Sequence, residues 1–202
     1  MESCWRGGFP LLGNQLGLDF LNTRPVMDGQ AVELIPDVTA LRQWLRAAGV
    51  LSGAGAERAA AAWPEADRTG LDSLLHFRES LRGEVIRKES GRAVSGAFLK
   101  EMNGLLAEHP LGQRVLRHGD SLKRVPLFVP KVLEDTFAPL LDEVVKLFTA
   151  LDWDRVRQCE GCVAHFYDAS KKGTRRWCSM QLCGNRFKVA AYYHRKHRGN
   201  DS

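Results

Sequence analysis

The chain has 202 residues, 44% hydrophobic and 26% charged, with 29 Lys and Arg against 24 Asp and Glu for a net charge of +5. These are the proportions of an ordinary globular chain and exclude collagen-like, wholly disordered and disulfide-scaffold architectures. No apolar run approaches the ~18 residues of a membrane span, and Met1–Arg6 lacks the apolar stretch of a signal peptide, so the expectation is a cytoplasmic protein of one domain, or of one domain plus a small appendage.

From the N-terminus, the first 150 residues read as mainly α. In Leu18-Asp19-Phe20-Leu21-Asn22-Thr23, Asp19 and Asn22 are candidates to line a ligand pocket or to cap the following helix or turn. Asp37 is the expected N-cap of a helix over Val38–Ala48, stopped near Gly49. Residues 54–67 are Ala-rich and of unassigned state. A longer helix is expected over Leu71–Glu89, with Leu71, Leu74, Leu75, Leu81 and Val85 as its apolar stripe. On it, His76 is expected to be partly buried. Arg78 and Arg82 lie one turn apart, placed either to grip an anionic ligand or to pair with Glu79 or Glu84.

Ser95 caps a third predicted helix that ends at His109-Pro110. Gln113–His118 and Leu122–Val129 flank Gly119-Asp120 and read as a β-hairpin. A last helix is expected over Lys131–Leu151. The polar junction 152–158 is the expected linker, dividing the chain into units 1–151 and 152–202. The body carries no phosphate loop, nucleophile elbow or zinc-protease motif, so no enzyme is expected.

Four of the five cysteines fall in the tail, as Cys159-x2-Cys162 and Cys178-x4-Cys183. Two close pairs across a short spacer meet the tetrahedral demand of a structural Zn2+, and four thiolates leave no open position for a catalytic water. His165, His194 and His197 are rival ligands that such a set does not need. Residues 163–167 read as a strand, Lys171-Lys172-Gly173 as a turn and 174–178 as the return strand. A helix is expected from Arg186 to His197. Phe166, Trp177 and Phe187 are the expected miniature core of the zinc module. The expected fold class is thus mainly α: a helical N-terminal domain with a small β-hairpin, followed by a small treble-clef-like zinc finger of β-hairpin plus helix.

Charge is concentrated in the same place. Residues 151–202 hold eleven Lys and Arg against five acids, a net +6, which leaves −1 for the first 150. Lys171, Lys172, Arg175, Arg176, Arg186, Lys188, Arg195, Lys196 and Arg198 follow one another without an intervening acid. Some of them, Arg175 or Arg176 for example, can screen the −2 of a tetrathiolate zinc centre. The surplus points to phosphate contacts and counterion release, hence to nucleic acid.

The motifs Asp168-Ala-Ser-Lys-Lys-Gly-Thr-Arg-Arg-Trp-Cys-Ser-Met180 and Cys183-Gly184-Asn185-Arg186 resemble the bacterial CGNR zinc finger over about the last fifty residues. In that family the finger follows a mostly helical ABATE domain, whose early Leu-Asp-Phe-x-Asn-Thr signature matches residues 18–23. The resemblance implies a transcription regulator with a DNA-binding finger. Tyr192 and Tyr193, where relatives carry a denser Arg-rich helix, leave duplex and single strand both open. An RNA-binding zinc module and a protein-interaction adaptor with purely structural zinc are the alternatives. A homodimer and a small-molecule effector of the helical domain are further expectations, with Asp19, Asn22 and Arg78 as the candidate effector contacts.

Overall fold

A computed structural model describes residues 5–27, 29–185, 188 and 189. Two short hairpins open the chain, β1 (Trp5–Arg6) with β2 (Phe9–Pro10) and β3 (Val26–Met27) with β4 (Gln30–Ala31), on either side of α1 (Leu16–Leu21). Then come α2 (Val38–Ala47), α3 (Ala54–Ala61), α4 (Arg68–Glu89) and α5 (Gly96–Glu108), an antiparallel hairpin of β5 (Gly112–His118) and β6 (Ser121–Leu127), and α6 (Phe137–Thr149). The cysteine-rich end contributes β7 (Val156–Gln158) and β8 (His165–Tyr167), which pair antiparallel, and a π-helical turn over Met180–Gly184.

Helices α2, α4 and α5 start where a side chain satisfies a free N-terminal amide, whereas α3 and α6 have no side-chain cap. Asp37 accepts from the Ala40 amide, Asp67 from Gly70 and Ser95 from Phe98. Ser95 is itself held by Glu84, which accepts from its amide and its hydroxyl at 2.9 and 2.5 Å. Glu84 therefore docks α5 on α4 and is not the partner of Arg78 or Arg82. The last long helix is shorter than its periodicity suggests. Asp135 Oδ2 takes the Lys131 and Val132 amides, so the chain tightens into a 3-10 turn over Leu133–Thr136 before α6 begins. Pro139 sits in the first turn of α6, where its missing amide costs no hydrogen bond.

One apolar core joins these helices. Phe20 tilts onto Trp44 at 5.3 Å, and Phe77 stacks on Phe98 at 6.0 Å while meeting Phe137 edge-on at 5.7 Å. Leu140, Leu141, Val144 and Leu147 of α6 are buried in the same cluster. His76 is exposed, which corrects the expectation of partial burial: the helix turns Phe77, one residue on, into the core instead.

Residues 152–158, expected as a linker, form a 3-10 turn (Trp153–Arg155) and β7. Trp153 stacks on Phe148 at 5.2 Å and Val156 is buried in the main core. The cysteine-rich end is thereby packed on the helical body. No helix among the described residues is long and apolar enough to cross a membrane.

Candidate metal centre

The expected hairpin of 163–167 with 174–178 is replaced by a different one. β8 pairs backwards with β7 in the register Val156↔Tyr167, Arg157↔Phe166, Gln158↔His165, so the Cys159-x2-Cys162 pair forms the hairpin's own turn. In that turn Cys159 N donates to Ala164 O at 2.8 Å, Val163 N donates to Cys159 O at 3.1 Å, and Val163 takes a left-handed φ of +55°. A β-branched residue is rarely found there.

Residues 168–175 cannot form a return strand because Asp168 curls them into a loop. Its buried carboxylate accepts from Ser170 N at 2.9 Å and Arg175 N at 2.8 Å. Burial works against the charge, but these amide bonds outweigh it and hold Asp168 below the usual carboxylate range. Arg155 grips the same loop by donating to the Asp168 and Ser170 carbonyls at 3.1 and 2.8 Å, and Arg157 donates to Gly173 O.

This loop returns Cys178 to the first pair. The Sγ atoms of Cys159, Cys162, Cys178 and Cys183 all lie within 4.8 Å of one another, with Cys162 to Cys178 at 3.5 Å and Cys178 to Cys183 at 3.8 Å. A tetrahedron of sulfurs at Zn–S distances near 2.3 Å has edges of roughly 3.8 Å, so the spacing fits a single Zn2+. Crowded this closely, the thiols do not ionise alike. Hydrogen bonds from the Cys162 and Cys178 thiols pull Cys159 well below the usual thiol range. Hydrogen bonding to Cys159 and Cys162 drives Cys178 far above it, and burial foremost pushes Cys183 up to about 12. Four thiolates this close require a cation.

The two halves of the centre are laced together. Arg176 makes a two-pronged pair with Glu160 at 2.7 and 2.5 Å, and Glu160 N donates to Arg176 O. Arg175 lies over the Phe166 ring at 4.8 Å and donates to Cys178 O at 2.5 Å. Phe166, Leu12 and the cysteines form a small separate core with Trp177 packed against it. His165 stays out of the ligand shell, with its Nε2 3.3 Å from Glu89 of α4.

The candidate nucleic-acid contacts divide accordingly. Arg175 is engaged inside the centre, Arg176 is exposed but paired with Glu160, and Lys171, Lys172 and Lys188 are exposed. Arg186, Arg195, Lys196 and Arg198, and most of the expected terminal helix, lie outside the described residues. The candidate effector contacts are all engaged internally. Asp19 accepts from Gly13 N at 2.6 Å, and burial pushes its carboxyl up to about 6. Arg78, only 1% exposed, donates to Glu33 through two nitrogens, at 2.9 and 2.5 Å, and also to Glu79 and Thr23. Asn22, the C-cap of α1, reaches the finger: its amide donates to His165 O at 2.9 Å, and its oxygen accepts from His165 N at 3.0 Å. It also lines a cavity of ≈740 Å³ beside Cys162 and Cys183.

Two further residues join this contact. Tyr167 N donates to Gly13 O at 2.7 Å, and Asn14 donates to Tyr167 O at 3.0 Å. The Leu-Asp-Phe-Leu-Asn-Thr segment and the residues just before it therefore hold β8 of the finger. Gln15 links this grip to α6, donating to Glu143 O while capping Leu18 N. Asn14, Gln15 and Arg155 left no signal in the sequence because each reaches a backbone carbonyl more than ten residues away, whereas Asp168, which the sequence shows only as part of a motif, bonds amides two and seven residues on.

Comparison with family models matches residues 14–151 to ABATE, described as "Putative stress-induced transcription regulator". The chain belongs to the ABATE family. Residues 155–196 of this ABATE chain match the CGNR zinc finger, in the order that the motifs imply. The four clustered cysteines are the structural zinc site of that finger. No curated protein matches the chain. Both families are of regulator and zinc-finger type, not enzymes.

Proposed function

We propose that this ABATE protein is a DNA-binding transcription regulator. In this reading, unit 152–202 contacts the duplex through its finger, and unit 1–151 senses a ligand or dimerises. One observation carries it: residues 171–198 hold nine Lys and Arg and no acid, and of the described ones the tetracysteine centre employs only Arg175 and Arg176. Lys171 and Lys172 stand at the tip of the Asp168 loop with no ion pair among the described residues. Their charge is available to phosphates. With the zinc shell closed by four thiolates, the finger's role is binding and not catalysis.

Ligand sensing is supported by a cavity of ≈640 Å³ where β5–β6 meets α6, bordered by Leu16, Val50, Leu127 and Phe128. Small-molecule sites commonly have this volume and apolar lining. The cavity also borders Glu143, whose carbonyl holds Gln15 at the start of α1, and α1 ends at Asn22 on the finger. A single finger offers a limited interface, which favours a dimer on DNA.

The test is binding of labelled duplex DNA by the zinc-loaded protein across a salt series. Log affinity should fall linearly with log salt, and Lys171→Gln with Lys172→Gln should flatten the slope by about 2. No binding at low salt, or preferential binding of RNA in competition, sinks the reading.

A further inference from the structure

The β5–β6 hairpin has the wrong pattern for a strand pair that serves only to cover a core. A strand packed on one face alternates apolar and polar residues, so that one face is apolar throughout. Here four successive cross-strand pairs each join one cation to one apolar residue: Arg114↔Val125, Val115↔Arg124, Leu116↔Lys123 and Arg117↔Leu122. Because alternate residues point to opposite faces, both faces carry two cations and two apolar groups. No cation faces another directly, so the ribbon holds its charge without like-charge pairs across the strands.

The hairpin is also nearly uncovered. Of its two seven-residue strands, Val125 alone is even half-buried, and Val115 and Leu122 on one face are 61% and 71% exposed. Arg114, Arg117, Lys123 and Arg124 against Asp120 give the segment +3, inside a 150-residue body that sums to −1. None of the four cations has an ion pair among the described residues, a state they share with Arg58, Arg87, Arg92, Lys100 and Lys131 of the same body. A bare two-stranded ribbon gains little stability of its own in water, so its exposed apolar and cationic side chains call for a partner.

We propose that β5–β6 is a second DNA-binding element, a basic ribbon that engages the duplex independently of the finger. The proposal rests on the DNA-binding reading given above. Seven residues per strand extend roughly 24 Å, and a two-stranded ribbon fits the major groove of B-DNA, about 12 Å wide. The four cations supply phosphate or guanine contacts, and Val115 and Leu122 supply the apolar groups that pack on thymine methyls. A second copy of the chain is the poorer occupant. Two ribbons of +3 repel, and Pro126 removes one amide donor from β6.

The experiment is duplex binding by the full-length, zinc-loaded protein over a salt series. The wild type is compared with R114Q/R117Q/K123Q/R124Q and with the single-face variant R117Q/R124Q. Zinc content and unfolding midpoint are measured for each. The expected result is a slope flatter by up to about 3.6 for the quadruple variant and about 1.8 for the double. R114K/R117K/R124K should keep the wild-type slope. If the quadruple variant loses its fold, the double variant decides. An unchanged slope in a folded variant overturns the ribbon and leaves the finger reading standing. Absence of wild-type binding overturns both. Preferential binding of RNA, or a change of oligomeric state with unchanged slope, assigns the ribbon to another partner and overturns the proposal.

Discussion

The side chain of Asn22 pairs with both backbone groups of His165, in the way a neighbouring strand would. Its oxygen accepts from the amide at 3.0 Å, and its nitrogen donates to the carbonyl at 2.9 Å, in a buried setting. Asn22→Ala leaves a buried donor and acceptor unpaired and should cost about 2–4 kcal/mol. Urea unfolding of the zinc-loaded protein measures this. A loss below about 0.5 kcal/mol would mean that the contact is solvated in solution.

Arg78 gives a second test, one that separates a structural from a ligand-binding role. Arg78→Met removes the partner of Glu33 and strips Thr23 Oγ1 of its donor. Glu33 is partly exposed and can hydrate once its partner is gone, so the loss should be about 1–3 kcal/mol. A variant with unchanged midpoint in chemical denaturation would show that Arg78 is held for something other than the fold.

Asp19 predicts a pH dependence with a definite sign. Its folded pKa is raised from 3.8 to about 6, burial being the main cause. Between those values the unfolded chain releases a proton that the folded one keeps, so stability falls as pH rises from about 4 to about 6. The contribution is roughly 3 kcal/mol. Asp19→Asn keeps an oxygen for the Gly13 amide and removes the charge. Its stability should match the wild type near pH 4 and exceed it at pH 7. Parallel curves for the two proteins would contradict the assignment.

Metal removal should reach beyond the finger. A zinc finger of this size depends on its metal for most of its folding free energy. Here, however, Val156 belongs to the main core, and β8 is bonded to Gly13, Asn14 and Asn22. Chelation, or Cys178→Ser, should therefore lower the melting temperature of the helical body by several degrees, followed at 222 nm. A body that melts at the same temperature with and without zinc would show the two parts to be independent.

What could be read from the sequence follows the range of the interactions. The caps at Asp37 and Ser95, the stripe of α4 and the turn at Gly119 act over a few residues and leave periodic or positional signals. Metal ligation was legible for the same reason, since cysteine pairs at close spacing have few other uses. The strand partner of residues 165–167 was not. The sequence points to 174–178 as the return and to 152–158 as a linker, but Asp168, bonding to Ser170 and Arg175, curls the first away and 156–158 takes its place. Likewise Arg78 has Glu79 next to it in the chain, yet its two-pronged partner, Glu33, is 45 residues away. No local pattern encodes such a pairing.

The seating of β8 on α1 also imposes a reciprocity. If a molecule bound to the helical body shifts the free energy of the Asn22–His165 contact, it changes the finger's affinity for zinc by some factor. Zinc must then change the affinity for that molecule by the same factor. The metal centre is in that sense a thermodynamic probe of the body. Zinc affinity measured in the presence of trial compounds would report an effector before any DNA target is known.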